Sequence, residues 1–352
     1  MNLKRKIVIY AEGKLGLYAS KTGNCAIRYF PDEVVAVIDS TKKGGDIVEF
    51  IGTGKGIPIV GSLAEALCFH PDTFLVGSAP IGGVVNSHLL ETVKEALGNK
   101  MDVASGLHNF FSDIPAIVEL AKVHGVKITD LRKPPSPLRV SQSKWKNIRA
   151  KVVLSVGADC NSGKLSTIYE IFQAFRNRGI PSDFIGTGQT GIFLAGGGIP
   201  ADAIVSDFLA GAVEAEIEKS DKKGVDFIFV EGQGALTHSA YSGVTMGILH
   251  GSMPDAMVFC LDPTRECNDW DDKIPGLQKM IEFHELAMGF FKDSKVLGVG
   301  VITHRIPNES EARKTIREIE SSTGLPANDP YRFGCENIME NLLRNLGMNS
   351  SI

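Results

Sequence analysis

Along the chain, short runs of β-branched and apolar residues alternate with longer stretches in which apolar positions recur every three or four residues. Residues 7–11, 34–38, 57–60, 73–76, 103–104 and 126–128 read as strands. Between them, residues 63–67, 88–97 and 114–124 read as helices, with Ser62 placed to cap the first. Apolar runs separated by helical stretches predict a parallel sheet, whose strands are covered on both faces. The stretch Lys133-Pro134-Pro135-Ser136-Pro137 breaks this rhythm, because proline fixes φ and removes the amide donor. We place a boundary there, between a Rossmann-like domain at 1–138 and a second domain at 139–352. Strands then resume at 151–156, 184–185, 227–230, 256–260 and 296–301, so the second domain is also α/β with a mainly parallel sheet.

Composition narrows the class. The chain has 352 residues, 43% hydrophobic and 22% charged, the profile of a globular protein of two domains. Net charge is −4 with no long basic run, which argues against nucleic acid as a partner. The basic start, residues 1–6, is followed by a short apolar stretch interrupted by Glu12, unlike a signal peptide, and nothing is long enough to span a bilayer. A cytoplasmic protein with small-molecule substrates and no membrane partner is expected, and a homo-oligomer is common among such enzymes. The six cysteines fit neither CxxC pairs nor a small disulfide framework and read as free thiols.

Candidate chemistry begins at Val152-Val153-Leu154-Ser155-Val156-Gly157-Ala158-Asp159-Cys160-Asn161-Ser162-Gly163-Lys164-Leu165-Ser166-Thr167. This is a buried strand, a small-residue turn and a helix start, the arrangement phosphate requires. Glycines let N–H groups turn inward, the helix N-terminus adds partial positive charge, and Lys164 neutralises the anion. Five residues separate Gly157 from Gly163, one more than usual, and Leu165 stands where Ser or Thr usually follows the lysine. A hydroxyl at Ser166 or Thr167 could bind phosphate or hold Mg²⁺. The long loop with Gly-x-Asp resembles the dethiobiotin synthetase branch of P-loop proteins. So does Val230-Glu231-Gly232-Gln233-Gly234 at the end of a strand, where the resemblance implies that Glu231, with Ser166, would hold Mg²⁺ if a nucleoside triphosphate binds. A third turn, Thr187-Gly188-Gln189-Thr190-Gly191, follows another strand, and in a parallel sheet all three would meet at the carboxyl edge as a substrate site.

Taken together, the chain resembles the DUF1611 family over nearly its full length. In the first half the resemblance rests on Ala11-Glu12-Gly13-Lys14, Val35-Ala36-Val37-Ile38-Asp39, Ser105-Gly106-Leu107-His108 and Asp130-Leu131-Arg132-Lys133-Pro134-Pro135. In the second it rests on Asp159-Cys160, Gly163-Lys164, the 187–191 and 230–234 turns, Ala201-Asp202-Ala203 with Asp207-Phe208, His238-Ser239-Ala240-Tyr241-Ser242-Gly243-Val244-Thr245, and His250-Gly251-Ser252 with Pro254-Asp255. Ala158 replaces a commoner Thr, and Leu165 is a small apolar variation. The resemblance implies D-glutamate N-acetyltransfer, with acetyl-CoA as cosubstrate, whose pyrophosphate and 3′-phosphate suit a phosphate loop. The loop is equally compatible with a scaffold inherited for ATP and Mg²⁺.

Acetyl transfer needs a base for the acceptor ammonium, and Glu231, Asp159 and His238 are the candidates. N–H groups of residues 232–234, or the Tyr241 hydroxyl, could stabilise the oxyanion. Cys160 could take the acetyl group covalently, as a minor alternative. Asp202 is placed to cap a helix over 203–215, and His250 is a structural or substrate-side residue at a helix end. Gly13, Gly16 and Asp39 form only an incomplete dinucleotide fingerprint, so no tightly bound NAD is expected. Two competing readings remain: an ATP-dependent ligase or kinase, and a non-catalytic nucleotide-binding protein.

Overall fold

The computed structural model describes residues 4–17, 19–78 and 85–347. Part of the basic start, residues 1–3, lies outside them. The chain divides into two compact units, one of residues 1–134 with 192–200, the other of 135–191 with 201–352. The break falls inside the proline-rich stretch, but the return of 192–200 to the first unit has no counterpart in the linear pattern. Among the described residues, no helix is long and apolar enough to cross a membrane.

The first unit holds β1 (Ile7–Tyr10), β2 (Val34–Ile38), β3 (Ile59–Val60), β4 (Thr73–Val76), β5 (Asp102–Ser105) and β6 (Ile128–Asp130). All pairs are parallel, in the order β3-β2-β1-β4-β5-β6. This is the dinucleotide-fold order, with β1 beside the switch point. Its core joins Val8, Phe74 and Val103 on the strands to Val93, Leu97 and Ile117 on helices Ser87–Gly98 and Pro115–His124. Ser62 caps Leu63–Ala66 by accepting from Glu65 N–H. Asp39, the acidic residue of the partial fingerprint, is fully buried and turned inward. Its carboxylate accepts from the N–H groups of Leu15 (3.1 Å) and Thr41 (3.0 Å) and pairs with Lys42 at 3.3 Å. It braces its own turn and leaves no free acceptor for a ribose hydroxyl.

The second unit holds β7 (Lys151–Gly157), β8 (Ser182–Ile185), β9 (Phe227–Val230), β10 (Ala256–Leu261), β11 (Lys295–Val301) and β12 (Ala327–Asn328). These too are all parallel, in the order β12-β11-β10-β7-β9-β8. In register, Leu154 and Ile185 both face Val230, and Gly157 faces Cys260. The segments after β7, β8, β9 and β10 therefore leave the sheet at one edge. Helix Lys164–Asn177 is pinned by aromatic contacts. Phe175 meets Phe227 at 4.8 Å and Phe229 at 4.9 Å, and Tyr169 meets Phe184 at 5.0 Å.

Helix Ser206–Asp221 begins later than the 203–215 expected from Asp202, which lies instead in the short 3-10 turn Ala201–Ala203. Val205 intervenes with extended φ/ψ, so the helix starts at Ser206, and Asp207 sits in its first turn. Glu214 on this helix is buried and holds the segment after the prolines. Its carboxylate accepts from Ser141 Oγ (2.9 Å) and from the N–H groups of Gln142 and Lys144 (2.8 Å each). His250, near the end of helix Ser242–Ser252, packs its ring on Phe291 at 4.9 Å.

Candidate functional site

The phosphate loop follows β7 and is shaped by three positions. A Cβ at Gly157 would lie 2.8 Å from Cys260 O and close on Ser162 Oγ, so only glycine fits. Asn161 (φ +57°) and Gly163 (φ +83°) take the left-handed conformation that reverses the chain, and a Cβ at Gly163 would overlap Ile302. Lys164 opens the helix and folds back, donating from Nζ to Asp159 O (2.7 Å) and Ser162 Oγ (3.2 Å). Burial pulls its pKa down, and Glu231 and Asp159 act against that pull. Leu165 occupies the position after the lysine and is half-buried, as is Ser166. Thr167 is buried and turned to the sheet, where its Oγ1 would lie 2.6 Å from a Cβ at Gly300. Of the two hydroxyls foreseen for this loop, that of Thr167 is buried and that of Ser166 half-buried.

Asp159, Cys160 and His238 come together, with one ligand-type atom from each within 4.8 Å of the others. Asp159 Oδ1 accepts from Cys160 N–H at 2.7 Å, and its Oδ2 lies 2.7 Å from the Arg265 guanidinium. Ala240 N–H donates to His238 Nδ1 at 3.3 Å, so Nε2 carries the proton and faces Asp159 Oδ1 at 3.9 Å. A guanidinium on the carboxylate and a protonated Nε2 both oppose a metal cation here. Burial pushes the Cys160 thiol up, away from the thiolate. The His238 ring packs on Tyr241 (4.7 Å) and on Trp270 (4.6 Å).

Glu231, just past β9, is buried. Its Oε2 accepts from Thr187 N–H (2.8 Å) and Gly188 N–H (3.0 Å), while Thr187 Oγ1 donates to Glu231 O at 2.8 Å. Gln233 Nε2 donates to Thr187 Oγ1 at 3.2 Å. Thr190, buried, and Gln189 open the helix Gln189–Ala195 that follows. Burial raises the Glu231 pKa to about 7 despite these donors and Lys164. The glycines around it are required by the protein's own packing. A Cβ at Gly191 would overlap the Glu231 carboxylate, one at Gly232 would overlap Ser155 O, and one at Gly234 would lie 2.8 Å from Tyr241 O. Gly232 N–H is itself donated to Ser155 Oγ at 2.9 Å.

Three residues at this edge carry no glycine and were not singled out from sequence: Arg265, Asp269 and Trp270. Arg265 donates to Cys160 O at 2.9 Å and to Asp269 at 2.8 Å, tying the segment after β10 to the phosphate loop. Their signal was position alone, since β10 ends on the edge that the three turns share.

The fold and site define a two-domain α/β protein with a Rossmann-like sheet and a P-loop sheet whose loop carries the buried lysine. The chain belongs to the DUF1611 family: the DUF1611_C P-loop domain, a domain of unknown function, matches residues 139–339, and the DUF1611_N Rossmann-like domain matches 40–134. It is 37% identical over 286 residues to a D-glutamate N-acetyltransferase of Tritonibacter scottomollicae, covering 80% of this chain and 84% of that one. A D-glutamate N-acetyltransferase of a Pseudoalteromonas species is 33% identical, with the same coverage. The crystal structure of a DUF1611 family protein from Anabaena variabilis has a TM-score of 0.90 and 32% identity, covering 97% of this chain and 99% of that one.

Proposed function

We propose that the protein is an N-acetyltransferase that moves an acetyl group from acetyl-CoA to the amino group of D-glutamate. What carries this reading is its likeness to two D-glutamate N-acetyltransferases over 80% of the chain, a span too long for the P-loop unit alone. The loop's chemistry supports it. Lys164 and the helix N-terminus suit a phosphate of coenzyme A, while Leu165 removes the hydroxyl with which a P-loop normally holds the Mg²⁺ of a nucleotide. The carboxylate imagined as the other metal ligand, Glu231, spends Oε2 on two backbone N–H groups. With Leu165 in the usual hydroxyl position, the loop suits the phosphates of coenzyme A without calling on a metal.

In the reaction, the neutral amine attacks the thioester carbonyl to form the N–C bond, the C–S bond breaks, and the departing thiolate takes the second amine proton to leave as coenzyme A thiol. One proton must leave the ammonium first, and a base serves best when its pKa lies near the working pH. Glu231, at about 7, meets that condition. Asp159 is ion-paired with Arg265 and accepts from Cys160 N–H, and His238 accepts from Ala240 N–H at 3.3 Å, so Glu231 is the candidate whose pKa suits the task best. Of the oxyanion donors considered, Gly232 N–H is already given to Ser155, which leaves the N–H groups of Gln233 and Gly234 and the Tyr241 hydroxyl.

The test is to incubate the purified protein with acetyl-CoA and D-glutamate, without ATP, and follow free thiol and N-acetyl-D-glutamate. Stoichiometric formation of both supports the reading. If ADP appears on addition of ATP and Mg²⁺ while acetyl-CoA stays intact, the ligase or kinase reading replaces it.

A further inference from the structure

Beside the phosphate loop lie two large aromatic rings: that of Trp270, which the acetyl-transfer chemistry does not use, and that of Tyr241, of which it uses only the hydroxyl. Tyr241 is 43% exposed and Trp270 is 52% exposed. Their rings stack at 5.9 Å with an interplanar angle of 28°, and both rest on the buried His238 ring. Exposing this much aromatic surface in one place costs burial and marks a contact surface.

The turn that carries Trp270 is held in place. Asn268 Oδ1 accepts from the N–H groups of Trp270 (2.9 Å) and Asp272 (3.0 Å), and Asn268 Nδ2 donates to Asp272 at 3.1 Å. Arg265, at the base of the turn, reaches Cys160 O and Asp159 in the phosphate loop. The ring pair is thus fixed to the loop on one side through Arg265 and on the other through His238. The ring pair and the phosphate loop are therefore neighbours through two separate ties.

The geometry points to Trp270 and Tyr241 as the stacking platform for the adenine of coenzyme A, next to the phosphate in the loop. This rests on the acetyl-CoA reading and extends it by assigning the base-binding subsite. Aromatic stacking accepts any purine face, so selectivity for coenzyme A comes from the loop and not from the platform.

The experiment uses the full chain and the two tryptophans it contains, Trp145 and Trp270. In Trp145→Phe protein, the remaining fluorescence reports on the platform. Titration with coenzyme A, and separately with adenosine 3′,5′-bisphosphate, is expected to quench it saturably. Trp270→Ala is expected to raise KM for acetyl-CoA about tenfold or more with kcat little changed, and Trp270→Phe to restore most of the affinity. Unquenched fluorescence, or an unchanged KM in an active and folded Trp270→Ala protein, overturns the platform and leaves acetyl transfer standing. Absence of acetyl transfer in the wild-type protein, with quenching by adenosine 3′,5′-bisphosphate intact, overturns the reaction and leaves the purine subsite standing.

Discussion

At the scale of single residues, the site holds charges in surroundings that work against them. Removing the Lys164 ammonium takes away the cation that opposes a bound phosphate. Lys164→Ala should raise KM for acetyl-CoA at least about tenfold, with an unchanged circular dichroism spectrum. A rise in KM for D-glutamate instead would assign the loop to the acceptor's carboxylate. Glu231 must be ionised to act as a base, so kcat/KM should climb with pH up to about 7 and then level off. Glu231→Gln keeps an oxygen for the Thr187 and Gly188 N–H groups, and should abolish that limb while the protein stays folded. An intact limb in the variant would remove Glu231 from the mechanism. His284 offers a test of stability alone. It is buried, its Nδ1–H donates to Met280 O at 2.7 Å, and burial lowers its pKa to about 4. The unfolded chain binds this proton near 6.5, so stability is full above that pH and is lost as pH falls toward 4. The loss is on the order of 3 kcal/mol, readable as a steeper acid denaturation than in a His284→Gln variant.

At the scale of elements, the phosphate loop is only as firm as the helix it opens. Phe175, fully buried between Phe227 and Phe229, anchors that helix near its far end. Phe175→Ala should cost about 3–5 kcal/mol in denaturant unfolding, while the molecules still folded keep their KM for acetyl-CoA. This division also explains what was legible in the sequence. Strand β7, the loop and the helix start are set by neighbours in the chain, so residue type and spacing were enough to find them. Strands that are apolar runs, such as Ile7–Tyr10 and Phe227–Val230, were legible for the same reason, whereas β6, with the polar Thr129 and Asp130, lies two residues beyond the 126–128 expected. β12, two residues long, offers no such run. Arg265 was hidden because its partner Cys160 lies 105 residues away, and only the pairing of β10 with β7 brings the two together. Glu231 stands out in the sequence between glycines at a strand end, but that those glycines make room for Ser155 O and Tyr241 O is set by residues distant in the chain, which spacing alone does not reveal.

At the scale of the whole molecule, the chain passes between its two units three times, after residues 134, 191 and 200. The segment 192–200 carries Ile192, Phe193 and Leu194, all buried, and Phe193 meets Phe30 at 6.1 Å and lies under Arg5. Expressed alone, residues 135–352 should expose these side chains and aggregate, and replacing Phe193 and Leu194 with serine should restore solubility. A monodisperse 135–352 fragment on size exclusion would show that the segment finds cover without the first unit. For anyone recombining genes of this family, the first domain is therefore not a cassette with one junction. Swapping it for another means replacing residues 192–200 as well, so the two stretches must descend, and be engineered, as a single heritable unit.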